Sequence, residues 1–321
     1  MEIAQPFRRK ITSAKDDGPH VPRLYAVLLL SVIAAAIAPS TRAQVTDFAN
    51  LDVPGATLTR PFDVNNFGVI VGRFDDQNGT HGFVYQGGSF TAIDFPAADL
   101  TVAIGINDSG DVVGRFTTAG VDHGFLLSHG IFTQIDFPGS IATQCHGINS
   151  NGDIVGRYMS MEKSGNGKGL AHEHGFLLSS DRFSSVDFPN SVTTDAWKIT
   201  DTGDIVGDWS SNGNFFVHGY TLHNGQFTSF DFSDARLTAS REINANGQMV
   251  GIYQSKLLNG GTSAPGREHG FVVINGSYSG FDFPGSGLTD GNAINDSGLI
   301  VGSYKDSSGA EHGYMALISW K

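Results

Sequence analysis

The chain has 321 residues, a formal net charge of −12 and one cysteine, Cys145. The acidic charge disfavours nucleic acid and anionic membranes as partners, and a single cysteine excludes an internal disulfide framework. The 42 glycines and 23 phenylalanines, with turn signals roughly every ten residues, predict an all-β chain.

Residues 1–43 are predicted to be a signal peptide. A basic segment precedes the apolar run 24–38, which is too short to span a membrane comfortably. Thr41 and Ala43 put small residues where a signal peptidase reads them, so cleavage is expected before Gln44. Two adjacent arginines near the start match a twin-arginine signal poorly, and no cysteine near the cleavage point offers a lipid anchor. We therefore expect a secreted protein, extracellular or periplasmic, with no membrane anchor after cleavage.

Residues 44–321 repeat one unit, seen most clearly in the stretch 106–138. The unit opens on a turn that Asn107 starts, and Gly110 takes the left-handed conformation of a bulged type I turn. Four short strand-like runs make up the unit, and Pro138 ends the last one because it lacks the N–H that a further ladder bond needs. The turn starts at Asn65, Asn107, Asn149, Thr200, Asn244 and Asn295.

A histidine on the third run of each unit is predicted to face an aspartate on the fourth. A two-residue hairpin turn between the runs places the two side chains on one sheet face, directly opposite each other. Five such pairs, each 13 residues apart, are His81 with Asp94, His123 with Asp136, His174 with Asp187, His218 with Asp231 and His269 with Asp282. We expect these pairs to be structural.

The two ends of the repeat region complement one another. Residues 48–54 read as a fourth strand without its first three, and 312–315 read as a third strand without its fourth. Joined, they complete a unit in which His312 faces Asp52, and a closed ring leaves no free sheet edge. The sequence therefore predicts one domain, 44–321, that is a six-bladed β-propeller of four-stranded antiparallel blades, closed by the N-terminal strand. A β-solenoid is the main rival, but it would leave both orphan strands unpaired.

The repeats IN-x-x-G, IVG-x-Y, HGF and IDFPG resemble the HAF-type extracellular repeats of secreted bacterial proteins. The resemblance covers residues 46–316, with glycine in place of the alanine of His-Ala-Phe. It implies secretion and the repeat type, and no particular activity. The blade layout is also similar to that of WD40 propellers, where a histidine and an aspartate within one blade hold the strands together.

The repeat contains three patterns that resemble chemical sites, namely a metal ring, a catalytic triad and a calcium loop, but a structural role explains each pattern better. A metal ring of histidines is disfavoured because each has its own carboxylate opposite. A Ser-His-Asp triad would need a serine at a fixed offset or a G-x-S-x-G elbow, and neither occurs. The loops 149–153 and 75–79 resemble the start of a calcium loop but lack its distal glutamate. No metal and no cofactor are predicted.

Candidate ligand-binding residues lie where a unit departs from the repeat. The fourth unit does so at Trp197, Lys198, Asp208 and Trp209. Two loop insertions, 159–173 and 254–268, fall in the units on either side, and long loops on a rigid scaffold often carry recognition residues. Tolerated surface drift explains the insertions equally well. The insertions and the innermost strand of the fifth unit add Glu162, Lys163, His172, Arg267, Glu268 and Arg241 to the candidates.

The favoured function is a secreted, non-catalytic binding propeller, acting as a monomer on a glycan or another extracellular protein. An extracellular hydrolase or lyase with a site at the axial mouth is one alternative, and a structural surface or matrix component is the other. A hydrolase or a lyase would need convergent catalytic groups at the axis. The candidates on the innermost strands are Asp63, His146, Lys198, Arg241 and Glu242.

Overall fold

The computed structural model describes residues 43–163, 169–211, 216–255 and 267–320. Apart from Ala43, the predicted signal peptide lies outside these residues. Within the described ranges there is no helix long and apolar enough to cross a membrane.

The described residues form 24 strands, and the predicted all-β class is confirmed. The strands are β1 (Ala43–Asn50), β2 (Leu58–Val64), β3 (Ile70–Asp76), β4 (Gly79–Gln86), β5 (Ser89–Ile93), β6 (Leu100–Ile106), β7 (Val112–Thr118), β8 (Val121–Ser128), β9 (Ile131–Ile135), β10 (Ala142–Ile148), β11 (Ile154–Lys163), β12 (Gly169–Ser179), β13 (Arg182–Val186), β14 (Thr193–Ile199), β15 (Ile205–Ser210), β16 (His218–His223), β17 (Gln226–Phe230), β18 (Ala235–Ile243), β19 (Met249–Ser255), β20 (Glu268–Ile274), β21 (Ser277–Phe281), β22 (Leu288–Ile294), β23 (Leu299–Lys305) and β24 (Glu311–Trp320).

Antiparallel pairing joins the strands in sets of four. β2–β5, β6–β9, β10–β13, β14–β17 and β18–β21 pair in sequence order. The last set is β22, β23 and β24, with β1 from the N-terminus beside β24. β1 begins several residues before the predicted strand, since Ala43 already pairs with Trp320.

The repeated turn forms as its residues predict. Gly110 has a φ of 85° and donates its N–H to the Asn107 carbonyl at 3.1 Å. The Asn107 side-chain oxygen accepts the N–H of Asp111 at 2.9 Å. Polar side chains thus satisfy the turn from within its own sequence.

A threonine near the start of each first strand ties it to the preceding segment. Thr101 Oγ1 accepts the N–H of Phe95 at 2.9 Å, and Thr143 does the same for Phe137 at 3.0 Å. The same bond is made by Thr59, Thr194, Thr238 and Thr289. These bonds fix the path from one unit to the next.

Aromatic rings pack where one unit follows another. Phe95 stacks on Phe116 with ring centroids 3.6 Å apart, and Phe137 stacks on Tyr158 at the same distance. Phe125, fully buried, lies over Gly114, where a Cβ would overlap the Val102 carbonyl oxygen. Glycine is required there because the ring and the backbone leave no room for a side chain.

The first strand of every unit carries a β-bulge. In β10 the pairing steps from Cys145 with Gly156 to Gly147 with Val155, so His146 is the extra residue. The register shifts at the equivalent place in β2, β6, β14, β18 and β22. A bulge redirects one side chain out of the regular alternation, and the six redirected residues are Phe62, Ile104, His146, Trp197, Arg241 and Asn292.

Candidate functional site

All six bulge residues line one cavity of about 90 Å³, here called the axial pocket. Its other lining residues are Arg60, Asp63, Lys198, Glu242, Ile252 and Asp290. The strands β2, β14, β18 and β22 therefore bring charged side chains to a single small space, while Phe62, Ile104 and Ile252 give it an apolar side.

Three charged side chains meet at one end of the axial pocket. Lys198 Nζ lies 2.8 Å from Asp63 Oδ2 and 2.9 Å from Glu242 Oε2. Burial alone would lower the pKa of Lys198, but the two carboxylates outweigh burial and raise it. Burial raises the pKa of Glu242 well above its usual value. The amine is held as a cation between the two acids, so it is not available as a nucleophile.

A stack of three side chains forms one wall. The Trp197 indole lies parallel to the His146 ring, with centroids 4.2 Å apart. The Arg241 guanidinium carbon lies 3.8 Å from the Trp197 ring centroid, which is the geometry of a cation–π contact. His146 Nδ1 is 2.9 Å from Asp195 Oδ1, and burial lowers the pKa of His146.

Arg241 and Asp290 each have a buried polar atom with no hydrogen-bond partner among the described residues, Nη1 of Arg241 and Oδ1 of Asp290. Arg241 Nη1 lies 3.7 Å from Asp208 Oδ2, within ion-pair distance but beyond hydrogen-bond distance. Asp208 Oδ2 accepts the Trp197 Nε1–H at 2.8 Å. Burial raises the pKa of Asp208 to about 7, against the opposing charge of Arg241. Near neutral pH Asp208 is thus only a partial counter-ion for Arg241.

A second cavity, of about 290 Å³, lies beyond Lys198 and Glu242, which line both spaces. Its rim is formed by the repeated turns. Asn107 Nδ2 donates to the Asn149 carbonyl, and Asp201 Oδ1 accepts the Ser150 N–H. The polar groups named here serve contacts between turns, so we favour the axial pocket as the ligand site.

Trp209, a predicted ligand-binding residue, packs against neighbouring rings and lines neither axial cavity. Its indole stacks with Phe188 at 4.1 Å and with His218 at 4.8 Å, and its Nε1–H donates to Ser229. Trp209 occupies the packing position that Tyr158 holds in the preceding unit. The stacking surface expected for a sugar ring is therefore engaged by the protein itself.

Neither axial cavity is lined by the described candidates from the insertions, which are Glu162, His172, Arg267 and Glu268. β11 and β12 form a hairpin, on which Glu162 lies 3.9 Å from His172. The Lys163 side chain and residues 256–266 of the second insertion lie outside the described part of the chain. Arg267 donates to the Ser286 carbonyl. Burial raises the pKa of Glu268 to about 6.

The predicted His–Asp pairs are all in hydrogen-bond contact. His81 Nδ1 lies 2.8 Å from Asp94, and His312 Nδ1 lies 3.0 Å from Asp52. The other four pairs, at 2.8 to 3.0 Å, are His123 with Asp136, His174 with Asp187, His218 with Asp231 and His269 with Asp282. Each histidine also stacks on the aromatic residue of its own unit, as His123 does on Phe116.

The axial candidates Asp63, His146, Lys198, Arg241 and Glu242 are brought together as expected for convergent groups. Sequence reasoning missed Arg60, Asp290, Asn292, Phe62 and Ile104. The recurring threonine was the available signal, because all five lie one or three residues after it.

No protein-family model matches the chain, and no curated protein matches it. Among solved structures it is similar to a putative TolB from Agrobacterium tumefaciens, with 12% identity and a TM-score of 0.54 over 88% of this chain and 99% of that one. TolB from Acinetobacter baumannii matches with 12% identity and a TM-score of 0.46, over 81% and 63% of the two chains. An acylaminoacyl peptidase from Pyrococcus horikoshii matches with 9% identity and a TM-score of 0.45, over 83% and 46%. The first similarity supports a β-propeller-like fold for this chain.

Proposed function

We propose that this chain is a secreted, non-catalytic binding propeller whose ligand is recognised at the axial pocket. The observation that carries the proposal is the pair of buried, unpartnered polar atoms on Arg241 and Asp290, which line the same cavity within the described ranges. Leaving a buried polar group unpaired costs about 1–3 kcal/mol. Such a cost is commonly met at functional sites, where a ligand supplies the missing partner.

The proposal includes a closed ring of six blades around this site, and contacts between the two ends of the repeat region support it. β1 pairs with β24, and Arg60 of β2 forms an ion pair with Glu311 of β24. Asn292 of β22 donates its side-chain amide to the Pro61 carbonyl at 2.8 Å. These contacts join the last unit to the first, as closure requires.

Binding is favoured over catalysis by the state of the axial groups. Lys198 is neutralised by two carboxyls, and His146 is buried against Asp195. Cys145 lies in the hydrophobic core and not in the pocket lining, and burial raises the pKa of its thiol. A hydrolase or lyase needs a poised nucleophile, acid or base with access to substrate. None of these three groups meets that need.

A protein ligand is favoured over a glycan. Sugar rings are commonly held on flat aromatic faces, but Trp197 is stacked with His146 and Arg241, and Trp209 with Phe188 and His218. The axial pocket offers charged and apolar groups instead, which suit a peptide segment.

The test is a binding screen of residues 44–321 against a glycan array and an array of peptides. We expect saturable binding of peptides that is weakened by Arg241→Gln and unchanged by Arg182→Gln, a substitution at an exposed arginine at the start of β13. Turnover of any bound compound would overturn the non-catalytic proposal. Binding that Arg241→Gln leaves intact would overturn the choice of site.

Location and oligomeric state are tested separately. When residues 1–321 are expressed, the protein should appear in the periplasm or the medium. Its N-terminal residue there should be Gln44, because residues 1–43 have been cleaved off. Light scattering of the mature chain should give the mass of a monomer.

A further inference from the structure

We infer that the axial pocket recognises an α-carboxylate together with the N–H group attached to the same α-carbon. A small free amino acid offers both groups, and so does the carboxy-terminal residue of a peptide. This inference rests on the proposed binding function and names the chemistry of its ligand.

Arg241 is the group that would bind the carboxylate. Its side chain is 20% exposed, while Nη1 itself is buried. The cation–π contact with Trp197 holds the guanidinium plane in place, and Trp197 is itself fixed by stacking on His146 and by its bond to Asp208. A planar guanidinium held in this way is suited to a carboxylate, with which it forms two parallel hydrogen bonds.

The other arginine at the pocket is already committed. Arg60 is paired with Glu311 through both Nε and Nη2. Lys198 is shared between Asp63 and Glu242. Of the cations that line the axial pocket, Arg241 alone has no carboxylate within hydrogen-bond distance among the described residues.

Asp290 is the group that would accept the ligand N–H. Its Oδ2 accepts the Ser303 hydroxyl at 3.2 Å, while its Oδ1 has no partner in the described part of the chain. The residue is only 8% exposed, so water satisfies this oxygen poorly. An N–H donor from the ligand would restore the missing bond, whereas a second carboxylate would be repelled.

The size and lining of the pocket limit the side chain of the ligand. The cavity volume of about 90 Å³ leaves room for a small side chain only. Phe62, Ile104 and Ile252 give the pocket an apolar side. We therefore expect glycine, alanine or a residue of similar size, and no aromatic or long side chain.

The test compares ligands that differ in one group at a time, by isothermal titration calorimetry with the mature chain. The free-acid ligands are alanine, N-acetylalanine and Gly-Gly-Ala. Their controls are the corresponding carboxamides, which lack the anion, and propionate, which lacks the N–H. We expect each carboxamide to bind at least about tenfold more weakly than its acid, the loss expected for a charge-assisted hydrogen bond. Propionate should also be weaker than alanine or N-acetylalanine.

The arms of the test distinguish the two sources of the ligand. A site for free amino acids should bind alanine and reject N-acetylalanine and Gly-Gly-Ala. A site for peptide termini should bind Gly-Gly-Ala and N-acetylalanine at least as well as alanine. Either pattern supports the inference.

Variants connect the effect to the two residues. Arg241→Gln should remove the preference for acid over amide, and Arg241→Lys should weaken it, because lysine keeps the charge and loses the two parallel hydrogen bonds. Asp290→Asn should weaken the preference for ligands with an N–H, because it removes the negative charge from the acceptor. Arg182→Gln is the matched control, and thermal unfolding by circular dichroism shows that each variant is folded. Equal binding of acids and amides would overturn the inference. If peptides still bind at Arg241 without regard to their terminus, the proposed function stands and only this inference falls.

Discussion

Asn295 donates its side-chain amide to the backbone carbonyl of Asn65 at 3.0 Å, across 230 residues of sequence. The same bond runs from Asn65 to Asn107, from Asn107 to Asn149, from Asn149 to Thr200 and from Asn244 to Asn295. One residue in each repeated turn therefore serves both its own turn and the next one. Thr200 is the exception, because its short side chain carries no amide to donate to Asn244.

Thr200→Asn should complete the series and stabilise the protein. The threonine oxygen already accepts the Asp204 N–H at 3.0 Å, a bond that Asn107 makes to Asp111 through its amide oxygen. The new amide donor should add about 1 kcal/mol to the free energy of unfolding, measured by urea denaturation. Asn107→Thr is the matched control and should lower it by a similar amount. If Asn107→Thr lowers the free energy of unfolding and Thr200→Asn leaves it unchanged, an asparagine at position 200 does not form the expected hydrogen bond to the Asn244 carbonyl.

Substitutions at Trp209 should affect stability and leave ligand binding alone. Trp209→Phe keeps the stack with Phe188 and His218 and matches the residue type of other units, so we expect a loss below about 1.5 kcal/mol. Trp209→Ala removes the stack and should cost about 3–5 kcal/mol. Chemical denaturation gives both values. If the Trp209→Phe protein is fully stable but no longer binds its ligand, Trp209 contributes to ligand binding.

The buried group of Lys198, Asp63 and Glu242 should respond unequally to removal of its members. Burial raises the pKa of Glu242 well above its usual value, so the folded protein disfavours the charged form of this side chain. Glu242→Gln removes that charge, keeps the shape of the side chain and should cost less than about 1 kcal/mol. Lys198→Met leaves Asp63 without its cation and should cost about 3–5 kcal/mol. Equal losses in urea unfolding for the two variants would contradict this difference between Glu242 and Lys198.

The contact of His312 with Asp52 should make stability depend on pH. Burial alone would lower the pKa of His312, but the hydrogen bond and charge of Asp52, with help from Asp306, outweigh it and raise the pKa. A raised pKa in the folded state means that the contribution is complete below the unfolded pKa of about 6.5 and is lost as the pH rises through the folded value. Denaturation between pH 6 and 8 should show this loss, which His312→Gln should reduce. An identical pH slope in both proteins would remove the pair as its source.

The strands and turns could be predicted from the sequence because their signals are local. Asn107 and Gly110 define a turn within four residues, and the spacing of His123 and Asp136 follows from the hairpin between them. The pairing of β1 with β24 also follows from the sequence, since each end lacks what the other supplies. Lys198 and Arg241 were found because they break a repeat that is otherwise regular.

The tertiary structure alone determines which of the residues that break the repeat lie close together. A β-bulge depends on how two strands pair, so the local sequence did not fix the direction of the Arg241 and Trp197 side chains. The contact of Arg60 with Glu311 joins residues 251 positions apart, and the cavity shared by Arg241 and Asp290 exists only where units meet. Trp209 also breaks the repeat, but the tertiary structure stacks it on Phe188 of the preceding unit and away from the axial pocket. Local chemistry thus determined the repeat, whereas the position of each side chain in three dimensions determined which residues form the site.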